Sequence, residues 1–291
     1  MAECYGDQAA GLRKLLASQG PRVVAVAAGV DGVGRSTTVA HLAMTLSRLG
    51  RRVVVLDGNS NAGNLNDLLQ AKARFDLAHA LCGERSLRQV LVRSPHGCIV
   101  LPAARGLAQL SKPGCWGGDG LLKRLMDLNV GADFVLVDAA ARASGLLLPV
   151  DAICQELLLT ISPEAGSITQ GYGLIKRLVW RGTPPPCRLL VCQVADAAQA
   201  QAIHGNVADV ARRHLGVRLP LAGWMPTDST VSHAVARHGS ATGALRGGAF
   251  LHAVERLAET LLEPVAEGDN RPQGVVPAAA GRRARVITAA C

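Results

Sequence analysis

A glycine-rich segment, residues 29–37, limits what this chain can fold into more than any other stretch. It reads GVDGVGRST and lies between an apolar run over residues 23–28 and an apolar-periodic run over residues 38–49. The first run is typical of a buried parallel strand and the second predicts a helix. Glycines let backbone N–H groups approach phosphate oxygens, and the helix N-terminus adds the positive end of its dipole. The sequence therefore predicts a phosphate-binding loop.

The spacing of this segment matches G-x-x-x-x-G-K-[ST] at every position except one, where Arg35 replaces the lysine. In this pattern the hydroxyl of Ser36 binds Mg²⁺, and Thr37 donates to an oxygen of the same phosphate chain. Because the motif also has the strand–loop–helix context that it requires, we favour a nucleotide site over an ordinary turn. The loop residues predicted to contact nucleotide are Gly29, Asp31, Gly32, Val33, Gly34, Arg35, Ser36 and Thr37.

Two further apolar runs end in aspartates, Asp57 and Asp138. The carboxyl ends of parallel strands form the edge where open α/β sheets place their ligands. A strand that delivers one carboxylate toward Mg²⁺ is a second signature of phosphate-binding ATPases. We therefore expect Ser36, Asp57 and Asp138 to hold Mg²⁺, and Pro226, in a turn at the same edge, to contact nucleotide.

Strands and helices alternate along most of the chain, which predicts an α/β fold with a doubly wound, mostly parallel sheet flanked by helices. The predicted strands cover residues 23–28, 52–56, 97–102, 134–138, 156–162, 188–194 and 221–225. The predicted helices cover residues 4–18, 38–49, 64–69, 76–81, 86–92, 121–128, 167–181, 197–214, 230–237 and 249–262. The predicted helix caps are Asn64, Ser167 and Asp228. The 249–262 helix has an acidic polar face, so we expect it to pack on the sheet and not on a membrane.

The 291 residues suit one large α/β domain with appendages. We assign residues 1–20 to an N-terminal helical segment, 21–265 to the phosphate-loop domain and 266–291 to a disordered tail. The tail is rich in Pro, Gly, Ala and charge, a composition that disfavours a packed core.

The composition of the chain limits where the protein can be located in the cell and which classes of partner it can bind. No apolar run reaches the about 18 residues that span a bilayer, and the charged N-terminus lacks the apolar stretch of a signal peptide, so we expect a cytoplasmic protein. The eight cysteines form no C-x-x-C pair, which favours buried thiols over zinc or disulfides. The net charge of +9 invites nucleic acid or anionic lipid, but no long basic stripe is present, so DNA is not an expected partner.

The loop, the strands that end in Asp57 and Asp138, and residues 161–176 together resemble the MinD/ParA class of dimerising P-loop ATPases. Within that class they look most like the flagellar-number regulators of the FlhG or FleN type. The resemblance covers residues 7–263. It implies ATP or ADP with Mg²⁺ as cofactors, a nucleotide-dependent homodimer, and a location at the inner membrane or cell pole with weak or indirect membrane contact.

The N-terminal segment carries the most specific part of this resemblance. It is similar to the motif by which that subgroup stimulates its flagellar partner, an SRP-type GTPase. The resemblance therefore implies this GTPase as a partner, with flagellar basal-body components as further partners. The residues that match the motif are Asp7, Gln8, Ala9, Leu12 and Arg13.

Five positions depart from the family pattern. The resemblance implies a signature lysine at Val30, a second glycine at Asp31 and the phosphate-loop lysine at Arg35. It also implies an aspartate that orients water at Asn59 and an asparagine that reads adenine at Cys192, which we keep as a predicted nucleotide contact.

These departures leave Asp57 and Arg35 as the candidate catalytic residues and predict impaired hydrolysis. Three hypotheses remain: a regulator that acts mainly by binding, with weak or regulatory nucleotide; a working ATPase dimer switch; and a DNA-partitioning protein of the ParA kind. A small-molecule kinase is disfavoured because no acceptor site stands out.

Overall fold

The computed structural model describes residues 20–263 except 59–64, 108, 111, 113, 129, 140–153, 181–184, 230 and 232–247. Within those residues the strands are β1 (Arg22–Ala28), β2 (Val53–Asp57), β3 (Val92–Arg93), β4 (Ile99–Pro102), β5 (Phe134–Ala139), β6 (Glu156–Ile161), β7 (Cys187–Val194) and β8 (Leu221–Pro226). The helices are α1 (Arg35–Arg48), α2 (Leu65–Leu68), α3 (Leu77–Leu81), α4 (Leu87–Val90), α5 (Gly117–Asp127), α6 (Ala165–Trp180), α7 (Ala197–Leu215) and α8 (Ala249–Leu262).

These strands form one sheet in the order β3-β4-β2-β5-β1-β6-β7-β8. All neighbouring pairs are parallel except β3 and β4, which are antiparallel. The strands β2 to β5 all lie on one side of β1, with β5 inserted between β2 and β1, and the strands β6 to β8 follow in order on the other side. The predicted doubly wound, mostly parallel sheet is confirmed.

Helices cover both faces of the sheet, which is why its strands read as continuous apolar runs. In β1, Val23 and Ala25 belong to one core cluster, and Val24 and Val26 belong to the other. This alternation follows from the period of two in a strand. Helices α1, α2 and α8 contribute to the second cluster, while α3, α4, α5, α6 and α7 contribute to the first.

The predicted strands and the long helices are confirmed with small shifts at their ends, and α8 has the predicted bounds. Its apolar side, including Phe250 and Leu257, is buried against β8 and α1. The predicted packing of this helix on the sheet is therefore confirmed. None of the helices in the described ranges is both long and apolar enough to cross a membrane.

Three local predictions were wrong. The helix predicted over residues 86–92 ends at Val90, because Val92 pairs with Val100 in β3 and β4. Helix α5 begins at Gly117, four residues before the predicted start. Ser167 lies inside α6, and its Oγ accepts a hydrogen bond from the backbone N–H of Ser162 at 2.9 Å, so it ties the helix to β6 and does not cap it.

Other predictions meet the described part of the chain only in part. Asp228 Oδ1 accepts a hydrogen bond from Val231 N at 3.2 Å, as expected of a cap. Most of the predicted 230–237 helix, the predicted cap Asn64, the N-terminal helix and the tail lie outside the described residues. Three cysteines predicted to be buried thiols are indeed buried: Cys98, Cys187 and Cys192.

Candidate nucleotide site

The loop between β1 and α1 has the backbone shape of a phosphate cradle. Gly32 and Gly34 have φ values of 82° and 87°, a region that L side chains rarely adopt. The carbonyl of Gly34 accepts the first helical hydrogen bond, from Thr38 N at 2.8 Å. The loop N–H groups and the N-terminus of the 14-residue helix α1 are thus brought together at the carboxyl end of β1.

Gly29 lies where the loop passes closest to α6. A Cβ at this position would lie 2.4 Å from the carbonyl carbon of Gln170 and 2.5 Å from the nitrogen of Gly171, both backbone atoms. The loop is therefore held against α6 by a contact that only glycine allows. On the opposite side, Gln193 Nε2 donates to the carbonyl of Gly32 at 2.7 Å and fixes the tip of the loop.

The two aspartates at strand ends meet at the edge next to this loop. Asp57 and Asp138 are direct partners in the register of β2 and β5, and they are 1% and 0% exposed. The N–H of Gly58 donates to the carbonyl of Asp138 at 3.2 Å, which closes the pair of strands. Asp57 and Asp138 therefore lie side by side at the carboxyl edge of the sheet, where the sequence predicts them.

The guanidinium of Arg35 is directed to Asp138. Its Nε lies 2.5 Å from Asp138 Oδ1, and the side chains of Arg35 and Asp138 are 5% and 0% exposed. The other carboxylate oxygen, Oδ2, accepts a hydrogen bond from Ser36 Oγ at 2.6 Å. Arg35, Ser36 and Asp138 are therefore connected through the Asp138 carboxylate, and we call them the Arg35 triad.

Asp31, the acidic departure in the loop, lies at the rim of this network. Its side chain is 68% exposed, and its Oδ1 is 3.5 Å from Arg35 Nη1. The carboxylate therefore faces solvent and balances part of the Arg35 charge from outside. Val33 is buried under the loop, at 3% exposure.

Sequence reasoning missed two residues that shape the site. Asn66, at the start of α2, donates through Nδ2 to Asp57 Oδ2 at 2.6 Å. Its Oδ1 is buried and has no hydrogen-bond partner among the described residues. Gln193 adopts a φ of 61° at a bulge in β7, which turns its amide toward the loop. A polar residue at the end of an apolar strand was the available signal for Gln193, whereas nothing local marked Asn66.

The residue expected on the adenine side, Cys192, is 2% exposed and packs behind the loop. Burial raises the pKa of the Cys192 thiol to about 12, against a smaller lowering by a hydrogen bond with Thr38. Its Cβ would lie 4.0 Å from a Cβ placed at Gly34. A thiol offers weak donor and acceptor capacity compared with an amide, so base-specific hydrogen bonding is poor here. Pro226 ends β8 opposite Val194, at the same edge.

The described residues fit the phosphates of a nucleotide, whereas a magnesium ion at Asp138 would have to displace the guanidinium of Arg35. The positive-φ glycines give the loop the nest geometry that binds anions. Ser36, Asp57 and Asp138 are the oxygen ligands that the sequence predicts for Mg²⁺, but both carboxylate oxygens of Asp138 are already bonded within the Arg35 triad. No group of three or more metal-binding His, Cys, Asp or Glu occurs among the described residues.

Several predicted site residues lie outside the described ranges, so their positions stay predictions. They are the N-terminal residues Asp7, Gln8, Ala9, Leu12 and Arg13, and the loop residue Asn59.

Comparisons with known proteins show one family. The model of the CobQ/CobB/MinD/ParA nucleotide-binding domain matches residues 24–241. The antiactivator FleN of Pseudomonas aeruginosa is 31% identical over 214 residues, which are 74% of this chain and 76% of FleN. The flagellum site-determining protein YlxH of Helicobacter pylori is 24% identical over 196 residues, which are 67% of this chain and 65% of YlxH.

Solved structures agree with this match at the level of the fold. A chain of the MinC:MinD cell division protein complex of Aquifex aeolicus has a TM-score of 0.67 at 18% identity, with 86% of this chain and 99% of that chain covered. The septum site-determining protein MinD of Pyrococcus horikoshii, complexed with Mg-ADP, has a TM-score of 0.65 at 19% identity, with 83% and 96% covered.

Proposed function

The chain belongs to the CobQ/CobB/MinD/ParA nucleotide-binding family, among its flagellar-number regulators of the FlhG/FleN type, and from that premise we propose that it controls flagellar number or placement by stimulating an SRP-type flagellar GTPase. The observation that carries the flagellar part of the proposal is the similarity to FleN, which extends over 74% of the chain. The GTPase partner rests on the resemblance of residues 7–13 to the motif of that subgroup. The similarity to YlxH, which is named a flagellum site-determining protein, points the same way.

In this proposal nucleotide occupancy is weak or regulatory. The loop N–H groups of residues 29–37 bind the phosphates of ATP or ADP, and Ser36, Asp57 and Asp138 are the residues that would hold Mg²⁺ if the ion displaced Arg35 from Asp138. When bound, Mg²⁺ neutralises phosphate charge. Binding is weak because the phosphates must displace Asp31 from the outer edge of the Arg35 guanidinium, whose Nε remains on Asp138.

Hydrolysis is slow for a related reason. Stabilising the charge of the transferred phosphoryl group is the main task of a phosphoryl-transfer site. Val30 and Asn59 provide neither a cation nor a carboxylate at the positions where the family pattern has them. Arg35, the remaining loop cation, lies against Asp138. Asp57 is left to orient a water without a second carboxylate in the following loop.

The partner is reached through the N-terminal segment. GTPase activators supply charge stabilisation and water orientation from outside, and Arg13 and Gln8 are side chains that can perform these roles. Leu12 lies on the apolar face of the predicted helix and would anchor it in a groove of the partner. The protein then acts at the flagellar base, by peripheral contact with the inner membrane or cell pole.

A peptide of residues 1–20 tests this proposal directly. We expect it to accelerate GTP hydrolysis by the purified SRP-type flagellar GTPase, and we expect Gln8→Ala and Arg13→Ala to abolish the acceleration. Lys14→Ala is the matched control, because Lys14 is the neighbouring cation and lies outside the motif. The contrary result is a peptide without effect, together with a lower melting temperature of the full-length Gln8→Ala and Arg13→Ala proteins. It would mean that the helix packs on its own domain, and it would refute stimulation of the GTPase through this segment.

A working ATPase switch is the second candidate, favoured by the retained Ser36, Asp57 and Asp138. Steady-state ATP turnover by the pure protein separates the two candidates, since only the switch predicts ordinary rates that Asp57→Ala abolishes. Restoring the family pattern with Val30→Lys, Asp31→Gly and Arg35→Lys together should raise ATP affinity and promote ATP-dependent dimerisation. If the triple variant binds no better than the parent, these three positions are not what weakens the site.

A further inference from the structure

The Arg35 triad occupies both oxygens of the carboxylate that would otherwise serve the metal. Asp138 Oδ1 is 2.5 Å from Arg35 Nε, and Asp138 Oδ2 accepts from Ser36 Oγ at 2.6 Å. Two of the three residues predicted to hold Mg²⁺, Ser36 and Asp138, are thus hydrogen-bonded to each other. Asp138 also forms an ion pair with Arg35.

Burial makes this arrangement exclusive. Arg35 is 5% exposed and Asp138 is 0% exposed, so water screens their charges poorly. A divalent ion on Asp138 would lie within a few ångströms of the guanidinium, where like charges repel strongly in a medium of low dielectric constant. Mg²⁺ and Arg35 therefore compete for the same carboxylate.

The shape of the guanidinium lets it serve the carboxylate and the phosphates together. Arginine has five N–H donors in a rigid plane, whereas lysine presents one compact ammonium. Arg35 uses Nε on Asp138, and its Nη1 extends to the loop, 3.5 Å from Asp31 Oδ1. The cation thus reaches from Asp138 near the end of β5 to the phosphate-binding loop, so it could contact a carboxylate and phosphate oxygens at once.

We propose that the Arg35 guanidinium takes the place of Mg²⁺ at Asp138, so that this site binds metal-free nucleoside di- and triphosphates. The phosphates displace Asp31 from the outer edge of the guanidinium, while Nε stays on Asp138. This inference rests on the nucleotide binding in the proposed function and specifies which form of the nucleotide is the ligand.

Calorimetric titration of the full-length protein tests it. ADP and ATP are titrated in a buffer with EDTA and in one with excess MgCl₂, and we expect the two dissociation constants of each nucleotide to differ by less than about threefold. In Arg35→Lys the compact ammonium releases Asp138 to the metal, so we expect Mg²⁺ to tighten binding by about tenfold or more. Arg48→Lys is the control on the same helix, and its exposed pair with Glu255 should leave both constants at parent values.

The outcomes separate the inference from the function beneath it. A parent protein that binds nucleotide more than about threefold tighter with Mg²⁺ overturns the role given to Arg35 and leaves nucleotide binding intact. A parent that binds neither nucleotide in either buffer overturns nucleotide binding itself, and the inference falls with it. Equal affinities in the two buffers for both the parent and Arg35→Lys also contradict the inference, because Arg35 would then not be the reason.

Discussion

The buried ion pair of Arg35 and Asp138 makes a quantitative prediction about stability. Arg35→Met keeps the apolar stem of the side chain but leaves the Asp138 carboxylate buried without its cation. Asp138→Asn does the reverse and leaves a guanidinium that is 5% exposed. Removing one partner of a buried pair costs about 3–5 kcal/mol, because the other charge stays desolvated and uncompensated.

The double variant isolates the interaction itself. With both charges gone, neither desolvation penalty remains, so the combined loss of unfolding free energy should be smaller than the sum of the two single losses. Neighbouring residues in one network show coupling energies of about 0.5–3 kcal/mol, and a pair this short and this buried belongs at the upper end. We therefore expect a coupling energy of about 2–3 kcal/mol.

The same helix supplies a comparison pair. Arg48 Nη2 lies 3.0 Å from Glu255 Oε1, but the two side chains are 57% and 38% exposed. Exposed pairs contribute only about 0.2–1 kcal/mol, since water and salt screen them. The cycle built on Arg48→Met and Glu255→Gln should therefore give a coupling energy of at most about 1 kcal/mol.

Urea unfolding at neutral pH, followed by circular dichroism, measures both cycles. The single variants at the buried pair should also melt about 6–20 °C lower, at about 2–4 °C per kcal/mol for a domain of this size. A coupling energy at Arg35 and Asp138 no larger than that at Arg48 and Glu255 would refute the reasoning, because burial would then not be what strengthens the pair.

Three further predictions follow from particular contacts. Gly29→Ala should lower the unfolding free energy by about 1–3 kcal/mol, because a Cβ at this position would contact the backbone of α6. Gly166→Ala, in α6 itself and with open space around its Cβ, should raise the unfolding free energy by about 0.5–1 kcal/mol. Equal effects of the two variants in urea unfolding would contradict the close contact at Gly29. Iodoacetamide at pH 8 should label exposed Cys82 in the native protein and spare Cys192, because burial raises the pKa of the Cys192 thiol to about 12. Equal labelling rates of the two cysteines, measured by mass spectrometry, would refute this prediction. Burial lowers the pKa of His41 below its ordinary value, so as pH falls the unfolded chain binds the proton before the folded chain does, and stability is lost below about pH 6.5. Between pH 7.5 and pH 5.5, the unfolding free energy of the parent should fall by about 1 kcal/mol more than that of His41→Gln, as measured by urea unfolding.

Much of the candidate site could be predicted from short stretches of sequence. The glycine spacing between an apolar run and a helical run located the phosphate loop, because positive-φ turns and helix starts depend on neighbouring residues. The positions of Asp57 and Asp138 after apolar runs placed them at the carboxyl edge of the sheet. Their direct pairing in the register of β2 and β5 depends instead on the order of the strands.

Errors arose where a distant partner outweighed local preference. Val92 and Arg93 form a strand because β4 is beside them, although the preceding residues favour a helix. Ser167 looks like a cap by its position, but its Oγ accepts a hydrogen bond from the N–H of Ser162, the residue after β6. Such contacts reflect how helices are placed on the sheet, which the spacing of residues within one segment does not encode.

The sequence by itself determined the sheet, the phosphate loop and the types of side chain available to the site, because periodicity and backbone preference are local properties. The tertiary structure decided which of those side chains meet. It brought Arg35 to Asp138, 103 positions away in the chain, and Gln193 to Gly32, 161 positions away. These contacts exist because β5 and β7 end beside the loop after β1, and burial there gives the carboxylate of Asp138 a cation from the chain itself. The physical reason is that a buried charge is stabilised only by an opposite charge close to it, and the packing of the whole chain decides which charges lie close together.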